Sequence, residues 1–226
     1  MSSELTKRII TSFGLILWLL LSFFYTYILL ISLIIISSIA WIEFSALISK
    51  IYKRDRFKSK FLKLTLKTIS LIYIFIFSGL IFHGVTQVDP SFKIHIFYLF
   101  SICICSDIGG FLFGKTFKGK KLTKISPNKT VSGSIGSFTL SVLLVPIFYT
   151  LFNNFNNLTN LISISITVSF FCQLGDLFIS FLKRKAKVKD TSNILPGHGG
   201  VLDRIDGMLL AIPIGILMWK FLIVLL

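Results

Sequence analysis

The chain alternates long apolar runs with short segments rich in Lys and Arg. A transmembrane helix needs about 20 apolar residues, because the hydrocarbon core is ~30 Å thick and each helical residue rises ~1.5 Å. The pattern therefore predicts an all-α fold, a polytopic transmembrane helical bundle. We place about seven spans at residues 8–25, 27–48, 66–84, 93–114, 131–152, 159–182 and 207–226. The first two spans share one apolar stretch, which we divide near Tyr25-Thr26-Tyr27.

The basic residues indicate how these spans are oriented, since Lys and Arg collect in the cytoplasmic loops of membrane proteins. The amino terminus and the predicted loops at 49–67, 115–130 and 183–206 hold every Lys and Arg except Lys93 and Lys220. We therefore expect a cytoplasmic amino terminus, three basic cytoplasmic loops and an exterior carboxyl terminus.

Composition supports a membrane protein over a water-soluble domain. Hydrophobic residues make up 54% of the chain, the mean hydropathy is +0.85, and there are 24 Phe. No segment is long and polar enough to be a soluble domain, so we expect residues 1–226 to form a single integral membrane domain. The net charge of +15 suits a protein that contacts anionic headgroups or polyphosphates. We expect no nucleic-acid partner, because the basic residues are broken into short loops between apolar runs.

Only nine residues are Asp or Glu, so the position of each is informative. Glu43, Asp107 and Asp176 fall inside predicted spans, roughly 10 Å from the cytoplasmic end. An ionised side chain there costs at least ~2.5 kcal/mol unless it is paired or coordinated. Asp203 and Asp206 stand three residues apart at the start of the last span, on one helix face. These acids either neutralise nearby Lys and Arg, which we favour for Glu43, or hold Mg²⁺ against phosphate oxygens, which we favour for the aspartates.

The segment 175–207 carries most of the candidate chemistry. Asp176, Ser180 and then Lys183 or Arg184 follow one another at spacings of three and four, so they share one helix face. A metal ligand, a hydroxyl and a phosphate-binding cation would then line one cavity.

A glycine-rich turn, Pro196-Gly197-His198-Gly199-Gly200, follows the basic loop. Glycine lets the backbone approach a ligand, and N–H groups at such a turn beside a helix start favour an anion. His198 stands between glycines and five residues before Asp203, which favours a substrate contact over an ordinary surface histidine. Arg204 either binds phosphate as a planar fork or holds Asp203 in place.

These residues resemble the phosphatidate cytidylyltransferase (CDP-diacylglycerol synthase) family. The pattern S-x-x-K-R-x4-K-D-x5-P-G-H-G-G-x2-D-R-x-D is present at Ser180, Lys183, Arg184, Lys189, Asp190, Pro196, Gly197, His198, Gly199, Gly200, Asp203, Arg204 and Asp206. Asp107-Ile108-Gly109-Gly110, Ser126-Pro127-Asn128-Lys129-Thr130 with Gly133, and Trp41-Ile42-Glu43-Phe44 resemble three further family segments. The chain departs from the family at Ser132, where relatives commonly carry Glu.

The resemblance implies an Mg²⁺-dependent nucleotidyltransferase of phospholipid biosynthesis, joining CTP and phosphatidate into CDP-diacylglycerol and pyrophosphate. Amino-terminal helices at 8–84 would precede a catalytic part at 93–226, in a bacterial-type inner (plasma) membrane with the site on the cytoplasmic side. It also implies a homodimer, and Mg²⁺ with a possible second cation as cofactor. The implied catalytic residues are Asp176, Ser180, Lys183, Arg184, His198, Asp203 and Asp206; the metal ligands are Asp176, Asp203 and Asp206; and the substrate-binding residues are Asp107, Lys129, Thr130, Lys189 and Arg204.

Two other functions remain open at this stage. A related CTP-dependent transferase or kinase acting on another membrane lipid would share the headgroup motifs. An ion-coupled transporter would also carry intramembrane acids, but here the acids all lie near one face of the membrane. The CDP-alcohol phosphotransferases are disfavoured, because their D-G-x2-A-R-x8-G-x3-D-x3-D spacing is absent.

Overall fold

The structure is a computed structural model that describes residues 13–14, 17–18, 20–22, 24–53, 57–87, 90–123, 126, 129–151, 157–195, 197 and 199–224. These residues contain six helices long and apolar enough to cross a membrane, which makes the chain a multi-pass membrane protein. We number them α1 (Thr26–Ile51), α2 (Phe57–Val85), α3 (Pro90–Phe117), α4 (Val131–Leu151), α5 (Leu158–Lys185) and α6 (Leu202–Val224). The all-α fold predicted from the sequence is confirmed.

The first predicted span, 8–25, lies partly outside the described residues, and its described residues up to Phe24 are helical. The predicted division after it is confirmed. Tyr25 has an extended backbone with φ −115° and ψ 110°, and α1 begins at the next residue. The Trp18 indole N–H donates to Ser32 Oγ across this break, at 2.7 Å.

The basic loop predicted at 49–67 is wrong over its second half, because α2 already begins at Phe57. Lys and Leu are good helix formers, and Lys60, Lys63 and Lys67 follow one another at spacings of three and four. Their long stems can lie along an apolar helix while the ammonium groups reach water. Likewise α6 begins at Leu202 rather than 207, so both carboxylates of the Asp-Arg-x-Asp motif lie in its first two turns.

The chain forms two compact units, and α5 and α6 each contribute residues to both. The first unit contains residues 1–86 and 182–205. Within it, the α1 and α2 helices are joined by a hydrogen bond from Ser37 Oγ to Ser78 Oγ at 3.1 Å and by one from the Trp41 indole to the Lys67 carbonyl at 3.1 Å. These polar contacts fix the register of the two helices.

The second unit contains residues 87–181 and 206–226. Its helices pack closely through small residues, as is common in membrane bundles. A side chain on Gly109 would meet the backbone of Gly136 on the neighbouring helix. Ser106 Oγ lies 2.9 Å from Ser169 Oγ, and Ser137 Oγ donates to the Ser106 carbonyl at 2.7 Å. Close approach of α3, α4 and α5 shapes the pocket described below.

Candidate functional site

In the first unit, the end of α5 and the start of α6 are joined by an ion pair. Lys183 Nζ lies 2.7 Å from Asp203 Oδ1. Asp203 Oδ2 accepts from the Thr191 N–H at 2.8 Å, the Thr191 hydroxyl at 2.9 Å and the Gly200 N–H at 3.0 Å. A carboxylate has about four acceptor positions, so these protein donors take up the capacity of Asp203.

Glu43 of α1 forms hydrogen bonds with the segment 191–202, which connects α5 to α6. Its side chain is buried, and its carboxylate accepts from two hydroxyls, Thr191 Oγ1 at 2.9 Å and Ser192 Oγ at 2.5 Å. It also accepts from the N–H groups of Val201 at 3.1 Å and Leu202 at 2.7 Å. Hydroxyls and backbone amides thus hydrogen bond to Glu43, where we expected Lys or Arg.

These contacts correct one expectation about the glycine-rich turn. We expected the N–H groups of the turn to bind a substrate anion, but the N–H of Gly200 donates to Asp203, and the N–H groups of Val201 and Leu202, which follow the turn, donate to Glu43. Asp203 and Glu43 thus occupy the amino terminus of α6, where a negative charge is favoured. The prediction is wrong for the N–H group of Gly200.

The turn itself needs glycine at two kinds of position. Gly197 and Gly199 have φ of +75° and +84°, in the left-handed region that side chains disfavour. Gly200 lies so close to the acid that a Cβ would come within 2.6 Å of Glu43 Oε2 and would collide with the Thr191 hydroxyl. His198 and Pro196 lie outside the described residues, so the predicted role of His198 stays a prediction.

Three cations predicted to bind phosphate, Arg184, Lys189 and Arg204, have exposed side chains. They are accessible to a soluble polyanion. Lys183 differs from them, because it is largely buried against Asp203.

The second unit holds another cluster around Asp176 of α5. Asp176 forms an ion pair with Lys129, which precedes α4, and accepts from Ser180 Oγ one turn later at 3.3 Å. Thr130 caps the start of α4, since its hydroxyl accepts from the Gly133 N–H at 3.1 Å. The spacing argument that placed Asp176 and Ser180 on one helix face is confirmed.

A cavity of about 250 Å³ opens beside this ion pair. It is lined by Ser106, Asp107, Gly110, Phe111, Leu122, Ser126, Lys129, Thr130, Gly133, Ser134, Ser137, Gln173 and Asp176. The structure thus brings together four predicted residues, Asp107, Lys129, Thr130 and Asp176, which come from two helices and a loop. Sequence reasoning missed Gln173, whose Oε1 accepts from Ser134 Oγ at 2.5 Å, because an amide inside an apolar run gives no distinctive signal.

Two glycines bring α5 and α6 into close contact next to the acids. A Cβ on Gly175 would lie 2.5 Å from the Asp206 carbonyl oxygen, and one on Gly207 would lie 2.6 Å from Cys172 Sγ. Asp176 and Asp206 are the chain neighbours of these glycines. Asp206 is buried, and its Oδ1 accepts from the Gly207 N–H at 2.9 Å.

The structure shows which groups engage each of the three aspartates predicted to bind Mg²⁺. Among the described residues, no group of three His, Cys, Asp or Glu side chains is arranged to hold a metal ion. Asp203 is engaged by Lys183, Thr191 and Gly200, Asp176 by Lys129 and Ser180, and Asp206 by the Gly207 N–H. Mg²⁺ is commonly bound by one or two carboxylates together with substrate phosphates and water, so it does not require all three aspartates. The predicted three-aspartate ligand set stays a prediction.

Comparison with known proteins gives concordant matches. The model of the cytidylyltransferase family matches residues 3–222. A phosphatidate cytidylyltransferase of Staphylococcus haemolyticus is 37% identical over 186 residues, covering 81% of this chain and 69% of that protein. Proteins of the same name from Bacillus subtilis (39% over 150 residues) and Rickettsia bellii (45% over 126 residues) match 65% and 53% of this chain. Each of these two matches covers 54% of the relative's length.

Proposed function

Because the chain belongs to the cytidylyltransferase family, whose enzymes transfer a nucleotidyl group, we propose that it is a phosphatidate cytidylyltransferase. It joins CTP and phosphatidate into CDP-diacylglycerol and pyrophosphate. A phosphate oxygen of phosphatidate attacks the α-phosphorus of CTP. The bond from that phosphorus to the bridging oxygen of the β-phosphate breaks, and pyrophosphate leaves with the electron pair. The phosphate monoester is already ionised at pH 7, so no strong general base is needed.

The observation that carries the proposal is the polar cavity beside the Lys129–Asp176 ion pair. Two polyanions can react only where their charge is balanced and their orientation is held, which is the main task in phosphoryl and nucleotidyl transfer. Lys129 supplies a cation at the cavity wall, and Ser126, Thr130 and Ser134 supply hydroxyls. The volume suits part of a nucleotide rather than the whole of it.

We propose Mg²⁺ as the cofactor, held by Asp176 and Asp206, with Asp203 as the third member of the set that the resemblance implies. When bound, it neutralises charge on the phosphates of CTP. Lys183, Arg184, Lys189 and Arg204 bind the phosphates of the two substrates by this proposal, and Ser180, His198 and Asp107 complete the contacts. Arg184, Lys189 and Arg204 suit this role because they are exposed.

The position of Asp176 suits a reaction between a water-soluble substrate and a membrane-dissolved one. It lies nine residues before Lys185, the last residue of α5, which is ~14 Å along the helix axis. The diacylglycerol chains stay in the lipid while the headgroup reaches the acids. We place the site on the cytoplasmic side of a bacterial plasma membrane because the basic segments adjoin it. The resemblance is also the basis for proposing a homodimer, which the mass of the purified protein in detergent tests.

The experiment is incubation of the purified protein with radiolabelled CTP, Mg²⁺ and a panel of lipids. The panel contains phosphatidate, an isoprenoid ether lipid phosphate, a polyprenol and diacylglycerol. The proposal expects a labelled liponucleotide with phosphatidate at a rate at least tenfold above the others. Preference for a polyprenol or diacylglycerol would favour a lipid kinase, and cation flux in proteoliposomes without CTP turnover would favour a transporter.

A further inference from the structure

Glu43 is a buried carboxylate of the first unit that accepts four hydrogen bonds. It lies in α1 with 2% of its surface exposed. All the groups that hydrogen bond to it within the described residues are neutral, namely two hydroxyls and two backbone N–H groups. Burying an ionised carboxylate is costly unless its oxygens are hydrogen bonded. The segment 191–202 supplies all four hydrogen bonds, so the acid and the segment stabilise each other.

The contacts of Glu43 fall on both ends of that segment. Thr191 and Ser192 stand at its beginning, and Val201 and Leu202 at its end. The glycine-rich turn lies between these two points in the sequence. The side chain of Glu43 therefore connects the two ends of the segment.

Thr191 links Glu43 to the ion pair described above. Its hydroxyl lies 2.9 Å from Glu43 Oε2 and 2.9 Å from Asp203 Oδ2. A hydroxyl has one proton, so it donates to one carboxylate at a time and the two acids share it. Thr191 thus connects Glu43 to Asp203, which in turn pairs with Lys183.

We propose that Glu43 is a positioning residue for the transferase reaction, which holds the segment 191–202 and thereby fixes the Lys183–Asp203 pair and the glycine-rich turn. This proposal rests on the proposed function for its activity readout. It gives α1 a necessary role in turnover, although α1 contributes none of the predicted substrate-binding or metal-binding residues.

Two variants test the proposal at Glu43. Glu43→Gln replaces one acceptor oxygen by an NH₂ group, which then faces donors of the protein. Glu43→Asp keeps the charge but is one methylene shorter, so it cannot reach both ends of the segment. We expect kcat to fall about 100-fold in Glu43→Gln, the scale expected for ~1 Å misplacement of reacting groups. KM for CTP should change less than kcat, because Glu43 contacts none of the residues that we propose to bind the substrates.

Thr191 gives a second pair of variants, which guards against misfolding of the Glu43 variants. Thr191→Val removes the shared hydroxyl at constant shape and should lower kcat, whereas Thr191→Ser restores the hydroxyl and should restore kcat. Ser37→Ala, which removes another polar contact of α1, is the matched control and should keep wild-type kcat.

Hydrogen–deuterium exchange provides a readout that does not depend on turnover. In Glu43→Gln we expect faster exchange confined to residues 191–202, including the amides of Val201 and Leu202. Unchanged exchange there, or wild-type kcat in both Glu43→Gln and Thr191→Val, would overturn the proposal. Faster exchange throughout α1 and α2 would also overturn it, because Glu43 would then support the whole unit. If the wild-type protein does not turn over CTP, the proposed function fails, while the exchange experiment still tests whether Glu43 holds the segment 191–202.

Discussion

Lys183 and Asp203 form an ion pair that joins the end of α5 to the start of α6, with Nζ and Oδ1 2.7 Å apart. Their side chains are only 13% and 6% exposed. The pair is therefore poorly screened by water, and removing one partner leaves the other as a buried, unpaired charge. Asp203 thus has a structural role in addition to any role in catalysis.

Asp203→Asn should destabilise the protein as well as reduce its activity. Breaking a buried ion pair from one side costs about 3–5 kcal/mol. For a chain of this size that corresponds to a fall of roughly 10 °C in the thermal unfolding midpoint. The measurement is thermal unfolding in detergent. Asp190→Asn is the matched control, since Asp190 is exposed in the same segment and should change the midpoint little. Equal midpoints for the two variants would show that the pair adds no stability.

Lys129→Met should lower kcat/KM for CTP by about 100-fold, because a preorganised cation beside developing phosphate charge is typically worth that much. Lys129→Arg keeps the charge and should retain part of the activity. Steady-state kinetics at saturating phosphatidate measures both. Lys120→Met, an exposed lysine of the same loop, serves as control. Equal kcat/KM for Lys129→Met and Lys120→Met would contradict the proposed role of Lys129.

Asp176→Asn and Asp206→Asn should each raise the Mg²⁺ concentration that gives half-maximal activity by about tenfold or more. Changes in the residues that support a metal site typically weaken binding by 10- to 100-fold. The measurement is a titration with Mg²⁺ after chelation, with the fold checked by thermal unfolding. Unaltered Mg²⁺ dependence in both variants would remove these residues from the metal site.

Gly175→Ala should destabilise the α5–α6 contact. Its methyl group would lie 2.5 Å from the Asp206 carbonyl oxygen and 3.1 Å from Gly207 Cα, both of which are backbone atoms with little freedom to move. Overpacking of this kind costs about 1–3 kcal/mol. Gly79→Ala adds the same methyl group where no atom lies within 4 Å, and should be neutral or slightly stabilising. The measurement is the midpoint of thermal unfolding of each variant in detergent. A Gly175→Ala midpoint at or above that of Gly79→Ala would contradict the prediction.

Much of the fold is predictable from the sequence, because crossing a membrane imposes a minimum apolar length. The division at Tyr25 and the helical spacing of Asp176 and Ser180 both follow from local rules, and both are confirmed. The start of α2 at Phe57 was missed because the hydropathy of a Lys-rich segment resembles that of a loop. Only the spacing of its lysines, which are three and four residues apart, indicates a helix.

Four of the predicted site residues line one cavity, whereas the other members of the predicted site and the roles of all of them stay predictions. Motif spacing identified Asp107, Lys129, Thr130 and Asp176, and the structure places all four on one cavity. Spacing does not reveal which donors a carboxylate will meet from distant parts of the chain. The hydrogen bonds from Val201 and Leu202 to Glu43 span 158 and 159 residues. The use of the α6 amino terminus by Glu43 and Asp203 was therefore visible only in three dimensions.

The most direct test of the central proposal is the fate of two labels carried by CTP. The purified protein is incubated with phosphatidate and Mg²⁺, once with CTP labelled in the α-phosphate and once with CTP labelled in the γ-phosphate. Cytidylyl transfer predicts that the α-label enters the lipid phase while the γ-label stays in water as pyrophosphate, in equal amounts. A γ-label found in lipid, or an α-label that never leaves the aqueous phase, would contradict it.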